Sequence, residues 1–163
     1  MKKTVILSTI LLILLLIGLV VYTYYFNNPQ FKTEIEIRNI TKDEFYGLPE
    51  KSDININDIK KLSVKVEIIN LPKCKTRDIY MPELCVIDNN TVRSLEADSS
   101  IYNSDFYSLS TKYLIFDSNQ LSIDNIIEIY SKEFIVINIV TITNKIITRR
   151  YNIAEMLQDK IYN

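Results

Sequence analysis

Residues 133–151 read E-F-I-V-I-N-I-V-T-I-T-N-K-I-I-T-R-R-Y. Ile, Val, Thr and aromatic side chains suit a pleated, half-buried surface, and they run here without Gly or Pro. Thr143 and Asn144 interrupt the run, so it reads as a strand over 133–142, a two-residue turn and a second strand over 145–151. A hairpin this long and this rich in β-branched residues is expected to be the spine of a sheet.

Working outward, partners for that hairpin are visible on its N-terminal side. Leu62, Val64, Val66 and Ile68 alternate with Lys61, Ser63, Lys65 and Glu67, and Phe31, Ile35 and Ile37 oppose Lys32, Glu34, Glu36 and Arg38. Alternation of period two marks strands with one buried and one solvated face. Residues 84–88 and 91–95 flank Asn89-Asn90, a pair that tolerates positive φ, and read as a further hairpin. Residues 113–117 form a short apolar run consistent with a buried strand. Residues 41–57, with Gly47, Pro49 and Ser52, break the pattern and read as a loop with a short turn.

Two helices are expected late in the chain. Ser122 or Asp124 can open a brief one over 122–130. Asn152 can cap a final one, with Glu155 three residues on and Ile153, Met156, Leu157 and Ile161 on one face. Six to eight short strands in about 130 residues, joined mostly by turns, favour an all-β antiparallel sandwich, Ig-like in the broad sense, ending in a short helix. An α+β sheet covered by the terminal helix is the alternative. The Cys-Trp-Cys signature of antibody-type domains is absent, since the chain has no Trp.

Ahead of this domain, residues 4–26 carry no charge. As a helix they would extend about 34 Å at 1.5 Å per residue, enough for a hydrocarbon core of about 30 Å. Lys2 and Lys3 precede the block, and Tyr22, Tyr24, Tyr25 and Phe26 close it. Positive-inside bias and an interfacial aromatic belt place the N-terminus in the cytoplasm. The first Ala is Ala97 and the first Cys is Cys74, so cleavage by signal or lipoprotein peptidases lacks its residues. The expected organisation is a cytoplasmic N-terminus at 1–3, a transmembrane signal anchor at 4–26, a linker at 27–30 and an extracytoplasmic β-rich domain at 31–163. Abundant Ile, Asn, Lys and Tyr suggest an AT-rich genome, with the plasma membrane of a low-GC bacterium as the expected location.

Composition excludes several chemistries. The chain has 19 basic and 20 acidic residues; without 1–26, which hold two lysines and no acid, the balance is 17 − 20 = −3. A net acidic domain is not a general nucleic-acid binder. With no His, Ser-His and Cys-His catalysis and His-ligated zinc are excluded. Gly47 is the domain's only glycine, so there is no Gly-rich phosphate loop. Residues 53–58 begin like an EF-hand loop, but Asp58 stands where the Gly is needed and Val64 where the bidentate Glu is needed. Asp98-Ser99-Ser100 starts a D-x-S-x-S pattern that Tyr102 breaks. No metal, cofactor or catalytic set is assigned.

Two features are left as candidate sites. Cys74 and Cys85 would share an oxidising compartment, where a bridge closing a loop of about a dozen residues would contribute roughly 3 kcal/mol. Alternatively Cys85 packs as a small apolar group. Residues 98–112, rich in Ser, Tyr, Asn and Asp, read as a recognition loop with Tyr102, Phe106 and Tyr107 as anchors, or as a long loop whose aromatics fold onto the core. The expected function is a membrane-anchored, non-enzymatic envelope domain that binds a protein or polymer partner. The alternatives are a carboxylate-dependent envelope hydrolase and a regulatory or assembly subunit acting through its membrane helix.

Overall fold

The computed structural model describes residues 2–27, 29–49, 54–69, 74–84, 94–118 and 121–162. Helix α1 (Lys2–Asn27) comes first, then strand β1 (Gln30–Asn39) and helix α2 (Lys42–Gly47). A 3-10 turn (Ile56–Asp58) leads into β2 (Ile59–Ile69), which is followed by β3 (Cys74–Tyr80), β4 (Ser94–Asn103) and β5 (Tyr107–Asp117). Helix α3 (Ile123–Ile129) and a 3-10 turn (Tyr130–Lys132) precede β6 (Phe134–Thr141), β7 (Ile146–Asn152) and helix α4 (Ile153–Tyr162).

Every strand pairing is antiparallel, and the strands form two sheets of order β1-β2-β5-β4 and β3-β6-β7. The inward faces follow from the period-two alternation. Ile35 from β1, Leu62, Val64, Val66 and Ile68 from β2, and Leu114 and Phe116 from β5 are buried in one cluster. Ile135, Ile137 and Ile139 from β6 and Ile147 from β7 meet them there, joined by Ile126, Tyr130, Ile153 and Leu157 from the helical segments. Both sheets therefore share one core. A smaller cluster of Ile40, Leu48, Ile59 and Ile115 lies apart from it, with Phe45, Ile54 and Tyr113 packed against it.

Local chemistry sets the element boundaries. Thr41 closes a capping box with Glu44, so the expected 41–57 loop contains a helix, α2. Ser122 caps α3 by accepting from the Asn125 amide at 3.2 Å, and Asn152 caps α4 by accepting from the Glu155 amide at 3.0 Å, as the residue types imply. Of the apolar face expected for α4, Ile153 and Leu157 are buried while Ile161 is exposed at the fraying end.

The β6–β7 hairpin forms, with a turn one residue longer than the two-residue one expected. Ile142, Thr143 and Asn144 make the loop, Asn144 at φ 62°, with its amide donating to the Thr141 carbonyl at 3.0 Å. This is the three-residue solution in which a left-handed position follows the turn, and Asn tolerates that conformation. The lengthening leaves Ile142 outside the strand and exposed. The hairpin expected around Asn89-Asn90 lies outside the described residues.

Helix α1 stands apart from this core: the apolar side chains described in it, over residues 6–22, are all exposed, Leu7 by 70% and Leu19 by 62%. That stretch rises only about 25 Å at 1.5 Å per residue. Among the described residues no helix is long and apolar enough to cross a membrane.

Candidate functional site

The expected recognition loop over 98–112 is a β-hairpin. Residues 98–103 belong to β4 and 107–112 to β5, paired in register from Asp98 opposite Tyr113 to Asn103 opposite Ser108. The turn is 104–106, closed by the Ser104 amide donating to the Tyr107 carbonyl at 2.8 Å. The reading as a loop was incorrect because nearly every β4 side chain is polar or exposed, so burial leaves no alternating trace in it. What holds β4 is its ladder to β5 and side-chain pairing across it, such as the Ser100 and Thr111 hydroxyls 2.7 Å apart.

The three aromatic residues separate into two environments. Tyr102 and Phe106 are 61% and 59% exposed, so neither folds back onto the core. Tyr107 is half-buried and donates to Glu67 Oε1 at 2.9 Å, with its ring centroid 6.2 Å from that of Tyr102. The hydrogen bond to the Glu67 carboxylate raises the Tyr107 pKa, with burial adding to the effect. Tyr107 thus fastens the turn end of the hairpin to β2, leaving Tyr102 and Phe106 as the available contacts.

A residue that the sequence reading passed over positions the hairpin. Arg77 sits on β3, in the other sheet, opposite Ile139 whose side chain is in the core. Its guanidinium donates to Asn103 Oδ1 and to the Ser104 carbonyl, each at 3.1 Å. Asn103 Oδ1 also accepts from the wholly buried Ser108 hydroxyl at 2.6 Å. One side chain of the second sheet thereby fixes the turn of the first. The signal was a charge in an apolar register.

Cys74 begins β3 half-buried, with Arg77 Nη2 3.8 Å from its Sγ. Its expected partner, Cys85, lies outside the described residues. Of the EF-hand-like stretch, Asn55 is a cap that accepts from the Asn57 amide at 3.1 Å, and Asp53 is outside the described residues. Asp98 accepts from the Ser99 amide at 2.7 Å on the exposed edge strand. Among the described residues no three Cys, Asp or Glu side chains are grouped to hold a metal ion.

Glu34 and Glu44 are engaged structurally. Glu34 and Glu36 line a shallow depression with Met156, Asp159 and Lys160. Lys32 lies 2.7 Å from Glu34, and that hydrogen bond lowers the Glu34 pKa, the opposite of what a general acid requires. Glu44, the most strongly perturbed acid among the described residues, accepts from Arg38 through both oxygens at 2.7 and 2.8 Å, from Lys61 at 2.8 Å and from the Thr41 amide at 2.9 Å. The Arg38 guanidinium, with Lys61 and the amide, holds its carboxyl far below the usual range. It clamps α2 to β1 and β2. Tyr113 is pushed up to about 12 by its hydrogen bond to Glu96, then by burial.

No family model, curated protein or solved structure matches this chain.

Proposed function

We propose that the chain is a membrane-anchored, Ig-type binding module of a cell envelope, with α1 as the tether and no catalytic role. The observation that carries the reading is an apolar helix with exposed side chains, joined through only two residues to a two-sheet β-domain. By sequence the uncharged stretch runs over 4–26, longer than the side chains described in the helix, and about 34 Å of helix suffices for a bilayer core.

The Ig-type assignment is supported by strand order. Lettered A to G along the chain, the sheets are A-B-E-D and C-F-G, the arrangement of constant-type Ig domains. Such modules bind through edges and loops rather than deep clefts, and the depressions here are shallow and lined by charged side chains.

The edge of β4 is the binding element in this reading. Residues 97–103 are exposed, β4 ends its sheet, and the strand carries neither Lys nor Pro, the usual guards of an open edge. An extended segment of a protein partner would add there as a further strand, hydrogen-bonded through its backbone. The test is capture from solubilised native membranes with full-length bait. The expected result is a reproducible partner that is retained by Tyr46→Ser and lost on Ser100→Pro. Capture unaffected by Ser100→Pro, or no reproducible partner, would overturn the assignment.

A further inference from the structure

Strand register shows which turns share an end of the domain. Gln30 opens β1 opposite Ile69, the last residue of β2; Ile69 in turn faces Tyr107, the first residue of β5. The 104–106 turn therefore lies at the end where β1 begins. In the second sheet Cys74 faces Thr141 and Ile146 faces Val140, so the 142–144 turn adjoins the start of β3. Both sheets meet at this end: Arg77 reaches the Ser104 carbonyl, and Pro29 and Phe31 line one depression with Lys145 and Ile146, while within the second sheet Lys75 Nζ donates to Asn144 Oδ1 at 2.6 Å. Asn27, where α1 ends, and Gln30 are three residues apart, at most about 11 Å of extended chain.

Exposed apolar groups concentrate there. Among the described residues outside α1, nine large hydrophobic side chains are exposed: Tyr46, Ile69, Tyr80, Ile101, Tyr102, Phe106, Ile142, Ile146 and Ile161. Five of these, Ile69, Tyr102, Phe106, Ile142 and Ile146, lie in the two turns or within one residue of a strand end beside them. Exposed Lys75, Lys145 and Arg149 accompany them, against Asp105 in the turn. At the opposite end α2, α3, the 3-10 turns and the strand ends beside them carry Asp43, Glu44, Asp58, Asp117, Asp124, Glu128 and Glu133 against Arg38, Lys42, Lys60 and Lys132. The molecule has an apolar, basic end next to its helix and an acidic end away from it.

We infer that the two turns seat on the lipid surface, with Phe106, Tyr102, Ile142 and Ile146 entering the headgroup region and Lys75 and Lys145 meeting anionic phosphates. This rests on reading α1 as the membrane anchor. Aromatic and aliphatic groups beside cations form an interfacial surface that enters about 5–10 Å and is strengthened by anionic lipid. The tether supplies the proximity, so weak contacts suffice. Tyr102 and Phe106 thus pass from a protein partner to lipid, and the acidic end faces away from the membrane.

Because the chain has no Trp, single reporters are available. Full-length Phe106→Trp, Ile142→Trp and, at the far end, Tyr46→Trp are reconstituted in phosphatidylcholine vesicles containing phosphatidylglycerol, with lipids brominated near the headgroup as quenchers. Flotation with the vesicles is scored first. Blue-shifted emission, quenched by the brominated lipid for Phe106→Trp and Ile142→Trp but not for Tyr46→Trp, is the expected result. Protein that floats while all three emit as water-exposed Trp would overturn the seating and leave the anchor standing. Protein that does not float would overturn both.

Discussion

The two hairpins β4–β5 and β6–β7 share an antiparallel pairing and differ in nearly everything else. In β6–β7 the inward residues Ile135, Ile137, Ile139 and Ile147 are buried, and the sequence announces them by alternation. In β4–β5, residues 97–103 of the first strand are exposed, and the second strand buries Ser108 and Ser110 where β6 buries isoleucines. The difference teaches that hydrophobic periodicity reports burial, and reports strands only where a strand is buried. A strand held by its ladder and by polar pairs across it leaves no such trace.

Stability should divide along the same line. Ile137→Ala, in the wholly buried centre of β6, should cost about 2–5 kcal/mol in urea unfolding, because it leaves a cavity in a packed core. Ile101→Ala in β4 should change stability by no more than about 0.5 kcal/mol. Equal costs would break the contrast between the hairpins.

Arg77 connects the two regions, so its removal should fall between these. Arg77→Ala removes the charged donor from the Ser104 carbonyl and leaves Asn103 Oδ1 only the Ser108 hydroxyl, and should cost about 1–3 kcal/mol. Amide exchange should accelerate around 103–108 and hold its rate in β6. Uniform acceleration would show that Arg77 supports the whole core rather than the hairpin.

A smaller effect is expected at Glu44, which belongs to neither hairpin. Its carboxyl is lowered in the folded chain, so the stabilisation is complete above the unfolded value near 4.5 and disappears as pH falls toward the folded one. Glu44→Gln should cost about 1–2 kcal/mol at neutral pH and less at pH 3, a convergence that chemical denaturation across pH would detect. Smaller again, Thr111→Val should cost about 0.5 kcal/mol by removing the cross-strand hydroxyl pair with Ser100.

How much could be read in advance follows from this contrast. Strands β1, β2, β6 and β7 and the caps Ser122 and Asn152 were legible, because one-sided burial and helix ends impose residue types. Helix α2 was hidden because its capping box precedes only six helical residues, none of them buried. Tyr130 was hidden too: it is fully buried and donates to the Leu84 carbonyl, a contact 46 residues away in sequence that no local pattern encodes. At the candidate site, the geometry was not legible. Tyr102, Phe106 and Tyr107 were singled out together as anchors, and of the three Tyr107 is half-buried; Arg77, which positions their turn, belongs to the other sheet and becomes visible only once the sheets are assembled.

The most direct test of the account is carbonate extraction of membranes from cells making the full chain, followed by protease added to sealed cells. The account predicts that the chain stays with the alkali-washed membrane and that external protease removes the domain after residue 31. Release into the alkaline supernatant, or a domain protected until the cells are lysed, would contradict it.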